Sequence, residues 1–197
     1  MNIGLFELWR VWDSIYQHMT RLEYVDKKNN NIFRVVFCKY RGPDLVTRDG
    51  FTIHHGDQIV KLHIYNWKLS QMLKGIKNEN RLGLTTLRIV KSSLPTLAEY
   101  VQDHPKGEQA KAVIGTTFLH RGVHRLGFDV ESVPNNLKFK WKNAYLRFLL
   151  FFIHPNGKAR LKTRPEELFI KRVYMSKDQL FQLYGLERGL EMVGENQ

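Results

Sequence analysis

Residues 32–66 read IFRVVFCKYRGPDLVTRDGFTIHHGDQIVKLHIYN, and this stretch decides the fold. Ile32–Arg41 is rich in β-branched and aromatic residues, and Gly42-Pro43 stops it because proline cannot donate to a ladder. A second β region runs from Leu45 to Ile64, broken at Asp49-Gly50 and again at Gly56-Asp57. An Asp-Gly pair between apolar runs marks a tight turn, since glycine takes positive φ without steric cost. The stretch predicts a curled antiparallel meander.

Helices are expected on either side of it. Asn66 opens a short one to about Lys74, where it is well placed as the N-cap. Leu84, Leu87, Val90, Leu94, Leu97 and Val101 recur at helical spacing over 81–102, with Pro95 predicting a kink or break near Ser93. Upstream, Leu5, Leu8, Trp9, Trp12, Ile15, Tyr16 and Met19 make 4–21 an amphipathic helix, and its mixed polar face suits docking on a core. Downstream, 111–132 reads as strand, helix over 118–126, strand. Helix 143–153, the turn His154–Gly157 and a strand over 168–175 follow. Ser176 caps a last helix, Lys177–Tyr184, which ends at Gly185. The sum is one α+β domain over 1–185 with a frayed tail over 186–197. Its antiparallel or mixed sheet has about five or six strands packed with about four to six helices.

Composition bounds the function. A chain of 197 residues, 43% hydrophobic and 12% aromatic, supports one well-buried core and excludes a disordered polymer. Lys and Arg number 31 against 19 acids, a formal charge of +12 with a pI near 9.8. Such an excess favours polyanions: nucleic acid, phosphate-bearing polymers, acidic glycans or anionic headgroups. Cys38 stands alone, so no internal disulfide forms and no oxidising compartment is needed; a small buried strand residue is expected there. The longest apolar run, Phe148–Ile153, is far below the roughly 20 residues of a membrane span. Glu7 interrupts any apolar leader core, and the expectation is a cytoplasmic protein with no transmembrane segment.

The charge has a pattern. Between 138 and 172 there are ten Lys/Arg and two acids, Glu166 and Glu167. Lys138, Lys140 and Lys142 alternate with Leu137, Phe139 and Trp141. Lys158, Arg160, Lys162 and Arg164 alternate with Ala159, Leu161 and Thr163. In extended chain each basic set falls on one face, a ribbon suited to tracking a phosphate or carboxylate polymer. A solvated face that merely aids solubility is the competing explanation.

Two further groups are candidates. Gly115-Thr116-Thr117 at a strand-to-helix junction would offer free backbone N–H groups and a helix dipole to an anion, with Arg121 and Arg125 on that helix. The stretch matches neither the Walker spacing nor GxGxxG, and capping by Thr116 or Thr117 without a ligand is the commoner arrangement. Asp57 and His63 are the candidate catalytic residues, on the same side of one strand but at opposite ends, too far apart to touch. His54, His55 and His63 suggest a metal only on paper, since no spacing fixes a ligand geometry. No metal and no cofactor are expected.

Taken in order, these motifs carry a resemblance. They are Asp49-Gly50; Gly56-Asp57-x4-Leu62-His63-x2-Asn66; and Gly115-Thr-Thr-x-Leu119-x-Arg121-Gly122-x2-Arg125-Leu126-Gly127-Phe128. His154-Pro155-x-Gly157 and Met175-Ser176-x3-Leu180-x3-Tyr184-Gly185 follow them. From about Trp9 to Gly185 the chain resembles the YkoP-like domain of bacteria. The resemblance implies a family found alone and fused behind polysaccharide deacetylase domains, hence an accessory part in envelope carbohydrate metabolism. It carries over no catalytic residues, and no deacetylase metal motif occurs here. The leading expectation is therefore a non-catalytic protein that binds an anionic polymer or phosphate-bearing ligand. Its alternatives are a nucleic-acid binder, a small transferase with His63 or Asp57 as base, and a structural module whose ribbons are buried in an oligomer.

Overall fold

The computed structural model of the chain describes residues 24–25, 31–76, 78–133, 140 and 169–185. The expected helices over 4–21 and 143–153, the 154–157 turn and the 186–197 tail lie outside them. So do Lys138, Lys142, Lys158, Arg160, Lys162 and Arg164 of the basic ribbons.

The architecture is α+β. Strands β1 (Tyr24–Val25), β2 (Phe33–Lys39), β5 (Gln58–Ile64), β6 (Ala112–Thr117), β8 (Lys171–Ser176) and β7 (Asp129–Ser132) form a mixed sheet in that spatial order. Only β5 and β6 run parallel. Their crossover carries α1 (Asn66–Met72) and α2 (Glu79–Asp103), while α3 (Lys177–Tyr184) follows β8 directly.

The meander expectation is corrected. β2 pairs with β5 along its whole length, from Phe33↔Ile64 to Lys39↔Gln58. Strands β3 (Leu45–Val46) and β4 (Thr52–Ile53) form a separate two-stranded hairpin between them. Tyr40 N donates to the Asp57 carbonyl (2.8 Å) and Gly56 N to the Tyr40 carbonyl (2.9 Å), so the excursion is closed at its base. Gly50 and Gly56 take φ of 82° and 95° at the two breaks, as the Gly turns predict.

Alternation along the strands gives the sheet two buried faces. Phe33, Val35, Phe37, Val60, Leu62, Val113, Val173 and Met175 pack against Leu94, Leu97, Ala98 and Val101 of α2 and Leu180 of α3. On the opposite face Tyr40, Ile59, Ala112, Ile114 and Tyr174 pack under Leu45 and Ile53 of the hairpin, with Cys38 half-buried beside them.

Three local expectations change. The helix α2 runs through Pro95 without a break. A mid-helix proline costs about 3 kcal/mol, whereas each buried leucine contributes about 1.5–3 kcal/mol. Leu94 and Leu97, fully buried on either side of Pro95, outweigh it. The expected helix over 118–126 is instead a turn and a single 3-10 turn, Val123–Leu126. Gly122 and Gly127 bracket it at φ of 77° and 88°, which leaves no room for an α-helix. Tyr65, not Asn66, is the N-cap residue of α1. The last helix forms as expected, with Gln179 N donating to Ser176 Oγ at 3.0 Å.

Candidate functional site

The register assembles polar residues that lie far apart in sequence. On the hairpin-covered face, Arg34 of β2 lies opposite His63 of β5, and Arg172 of β8 lies opposite both Thr116 of β6 and Glu131 of β7. The β5–β6 register ends at Leu62↔Gly115, and one further step sets His63 beside Thr116, about 4.8 Å away at ordinary strand spacing. A polar row thus crosses the sheet: Arg34, His63, Thr116, Arg172, Glu131. Lys61 stands two residues before His63 on the same face.

Two arginines in the row are buried. Arg34 is 2% exposed, with its guanidinium carbon 3.4 Å from the centre of the Tyr65 ring. That short distance is a stacked cation–π contact, favourable in a desolvated place. Arg172 is 6% exposed and donates from Nη1 to Glu131 Oε2 at 3.0 Å. Its guanidinium also lies 5.6 Å from the Tyr40 ring. Burial pushes the Tyr40 phenol up, and Arg172 opposes that only in part. Burial likewise raises Tyr174, reinforced by Asp129 and Glu131. Both hydroxyls therefore stay protonated and donate to the chain around the hairpin, Tyr40 to the Pro43 carbonyl (2.7 Å) and Tyr174 to Val46 (3.2 Å). They fasten the hairpin over the face and are not bases.

The candidate residues separate. Asp57 Oδ2 accepts from His54 N at 2.7 Å, so its carboxylate builds the turn before β5. His63 sits six residues on, at the other end of the strand, as expected. Gly115, Thr116 and Thr117 lie inside β6 and are paired with β8, so they are not a strand-to-helix junction. Without that helix, the anion cradle loses its dipole and its free N–H groups. Gly115 serves packing, because a Cβ there would stand 3.2 Å from Val173 Cγ2. Thr117 does cap, but a turn: its Oγ1 accepts from Leu119 N at 2.9 Å. Thr116 alone of the three enters the polar row. Arg121 and Arg125 are exposed beyond the end of β6, and Lys140 is exposed. His54 pairs with Asp44 at 2.9 Å on the surface. Among the described residues no cluster of His, Cys, Asp and Glu has metal-ligand geometry.

Sequence reading missed Arg34, Tyr40, Arg48, Glu131 and Arg172. Arg34 left a signal, as the one charge within the apolar run IFRVVFC. Arg48 in the hairpin turn left none. Its backbone N and Nε donate to Asp129 (2.9 and 3.1 Å), Nη1 to the His124 carbonyl (3.0 Å) and Nη2 to Phe128 (2.7 Å).

A family model, the YkoP domain, matches residues 2–184. The chain belongs to the YkoP domain family. It is 40% identical over 135 residues to "Uncharacterized protein YkoP" of Bacillus subtilis (strain 168), covering 68% of this chain and 74% of that relative. The matched span takes in every described strand of the sheet and the hairpin. No solved structure matches the chain.

Proposed function

We propose that this YkoP-family chain is a cytoplasmic, non-catalytic binding protein for an anionic polymer, acting in envelope carbohydrate metabolism. The observation that carries the reading is topological. Ser132 and Lys171 pair at the end of β7 and the start of β8, at the same sheet end as Arg34, His63, Thr116 and Arg172. The connection between them holds eight Lys/Arg, including Lys138, Lys140, Lys142, Lys158, Arg160, Lys162 and Arg164, against two acids. Thus the basic segment leaves and returns beside the buried Arg172. No helix among the described residues is long and apolar enough to cross a membrane.

The test is a salt titration with polyphosphate, teichoic acid, oligogalacturonate and single-stranded DNA as probes. Binding should weaken linearly in log–log form, with a slope of about −0.7 per contacted phosphate on single strands. Replacing Lys158, Arg160, Lys162 and Arg164 by Gln should flatten that slope. Salt-independent binding, or none to any probe, overturns the proposal, and preference for DNA selects the nucleic-acid reading. A second reading, a transferase acting on a phosphate-bearing substrate, rests on His63 standing beside Thr116. It requires His63→Ala to abolish turnover in a protein that still folds.

A further inference from the structure

Two arginines meet two acids of β7 on one face, and they are not used alike. Arg48 is spent: it grips both oxygens of Asp129 and two carbonyls. Arg172 is not. A guanidinium carries five N–H donors, and among the described residues Arg172 places one of them, on Glu131. Glu131 holds it by a single oxygen and is itself 42% exposed on the sheet's edge. No nitrogen of Arg172 is both buried and unmet, so its remaining N–H groups keep some contact with solvent and have unspent binding capacity. Its fork fits a planar carboxylate through two parallel bonds, better than the single one Glu131 supplies.

We propose that Arg172 is the anchor for a carboxylate of the ligand, and that Glu131 is an internal stand-in which the ligand's carboxylate displaces. Thr116, paired with Arg172, and His63 beside it supply neighbouring polar groups, and Lys61 adds positive charge on the same face. The proposal depends on the anion-binding function and names its chemistry: a carboxylated glycan in preference to a phosphate polymer. Displaced Glu131 swings to solvent from an edge strand, where an ionised carboxylate is well hydrated.

The experiment titrates oligogalacturonate into the wild type, Glu131→Gln, Arg172→Lys and the Arg172→Lys/Glu131→Gln double variant, each checked for folding by circular dichroism. Glu131→Gln removes the competing charge and keeps the shape, so binding should tighten about three- to tenfold. Arg172→Lys keeps the charge and loses the fork, so binding should fall, and the double variant should show none of the gain. Equal tightening in the double variant, or no tightening in folded Glu131→Gln, overturns the anchor. If Arg172→Lys does not fold, the Glu131→Gln result decides alone. Polyphosphate binding that responds to the ribbon substitutions while oligogalacturonate ignores Glu131→Gln would leave the anion-binding function standing and remove this inference.

Discussion

Ser176 Oγ donates to Asp49 Oδ2 at 2.5 Å while accepting from Gln179 N, so the cap of the last helix is itself held by the hairpin turn. The residue that caps α3 and the residue that turns β3 into β4 are 127 positions apart in sequence. Burial pushes the Asp49 carboxyl up, but hydrogen bonds from Ser176, Thr47 and nearby backbone outweigh it and hold it below its ordinary value. A depressed carboxyl stabilises the fold above its unfolded value near 3.8, and that stability is lost as pH falls through the folded value. Asp49→Asn should therefore lower the melting temperature at neutral pH and flatten its acid-side decline below about pH 4. Ser176→Ala should cost about 1 kcal/mol in denaturant unfolding, the usual worth of such a cap. An unchanged acid limb in Asp49→Asn would assign that decline to other carboxyls.

The clamp of Arg48 on Asp129 ties the hairpin to the far edge of the sheet. Both side chains keep some solvent contact, so screening limits the ion pair to the upper end of the surface range, about 1 kcal/mol. The bonds to the His124 and Phe128 carbonyls add to it, and Arg48→Met should cost about 2 kcal/mol in all. Arg48→Lys should recover little, because an ammonium cannot reach two carbonyls and the Asp129 Oδ1 together as the guanidinium does. A double-mutant cycle with Asp129→Asn would separate the ion pair from the carbonyl bonds. Proteolysis between Arg41 and His55 should rise in the same variants.

Much of this fold was legible because its signals are local. The turns at Gly50 and Gly56, the strand around Val35 and the Ser176 cap each follow from a few adjacent residues. What stayed hidden depends on register. Arg34, His63, Thr116 and Arg172 share a row only because β6 pairs parallel with β5 and antiparallel with β8, a choice that no single strand encodes. The misread helix at 118–126 fails for the opposite reason. Its apolar residues Val123 and Leu126 do have helical spacing, but Gly122 and Gly127 set the backbone first. The basic ribbons were visible as alternation, while the buried arginines were not, since charge in sequence does not reveal burial.

Asn31 ties the start of β2 to α2 just before Pro95. Its Nδ2 donates to the Ser93 carbonyl at 2.9 Å, and its Oδ1 accepts from Phe33 N at 2.7 Å. That carbonyl precedes the proline by two residues, on the buried side of the helix. Asn31→Ala removes both bonds and leaves the buried Phe33 N–H unmet, and it should cost about 1–3 kcal/mol. Asn31→Asp keeps one acceptor but turns the donor into a buried charge, and it should cost at least as much at neutral pH. Chemical denaturation of the two variants distinguishes lost packing from lost hydrogen bonds: a pure packing effect would leave Asn31→Asp near the wild type.

His120 gives the protein a second pH dependence, at the end of β6. Its Nε2 is buried with no partner among the described residues. Burial disfavours the imidazolium, and the charges of Lys171 and Arg121 disfavour it further, so its pKa lies below the ordinary 6.5. The unfolded chain therefore takes up this proton at a higher pH than the folded one. Stability contributed by neutral His120 is present above about 6.5 and falls as pH drops below it. The wild type should lose melting temperature between pH 7.5 and pH 5.5, the range in which only histidines ordinarily titrate, about. His120→Gln, which cannot charge, should remove much of that slope while leaving the acid limb below pH 4 in place, about where carboxyls titrate. Lys171→Met should shrink the slope by a smaller amount, because burial is the larger cause. A slope unchanged in His120→Gln would move the effect to another of the eight histidines.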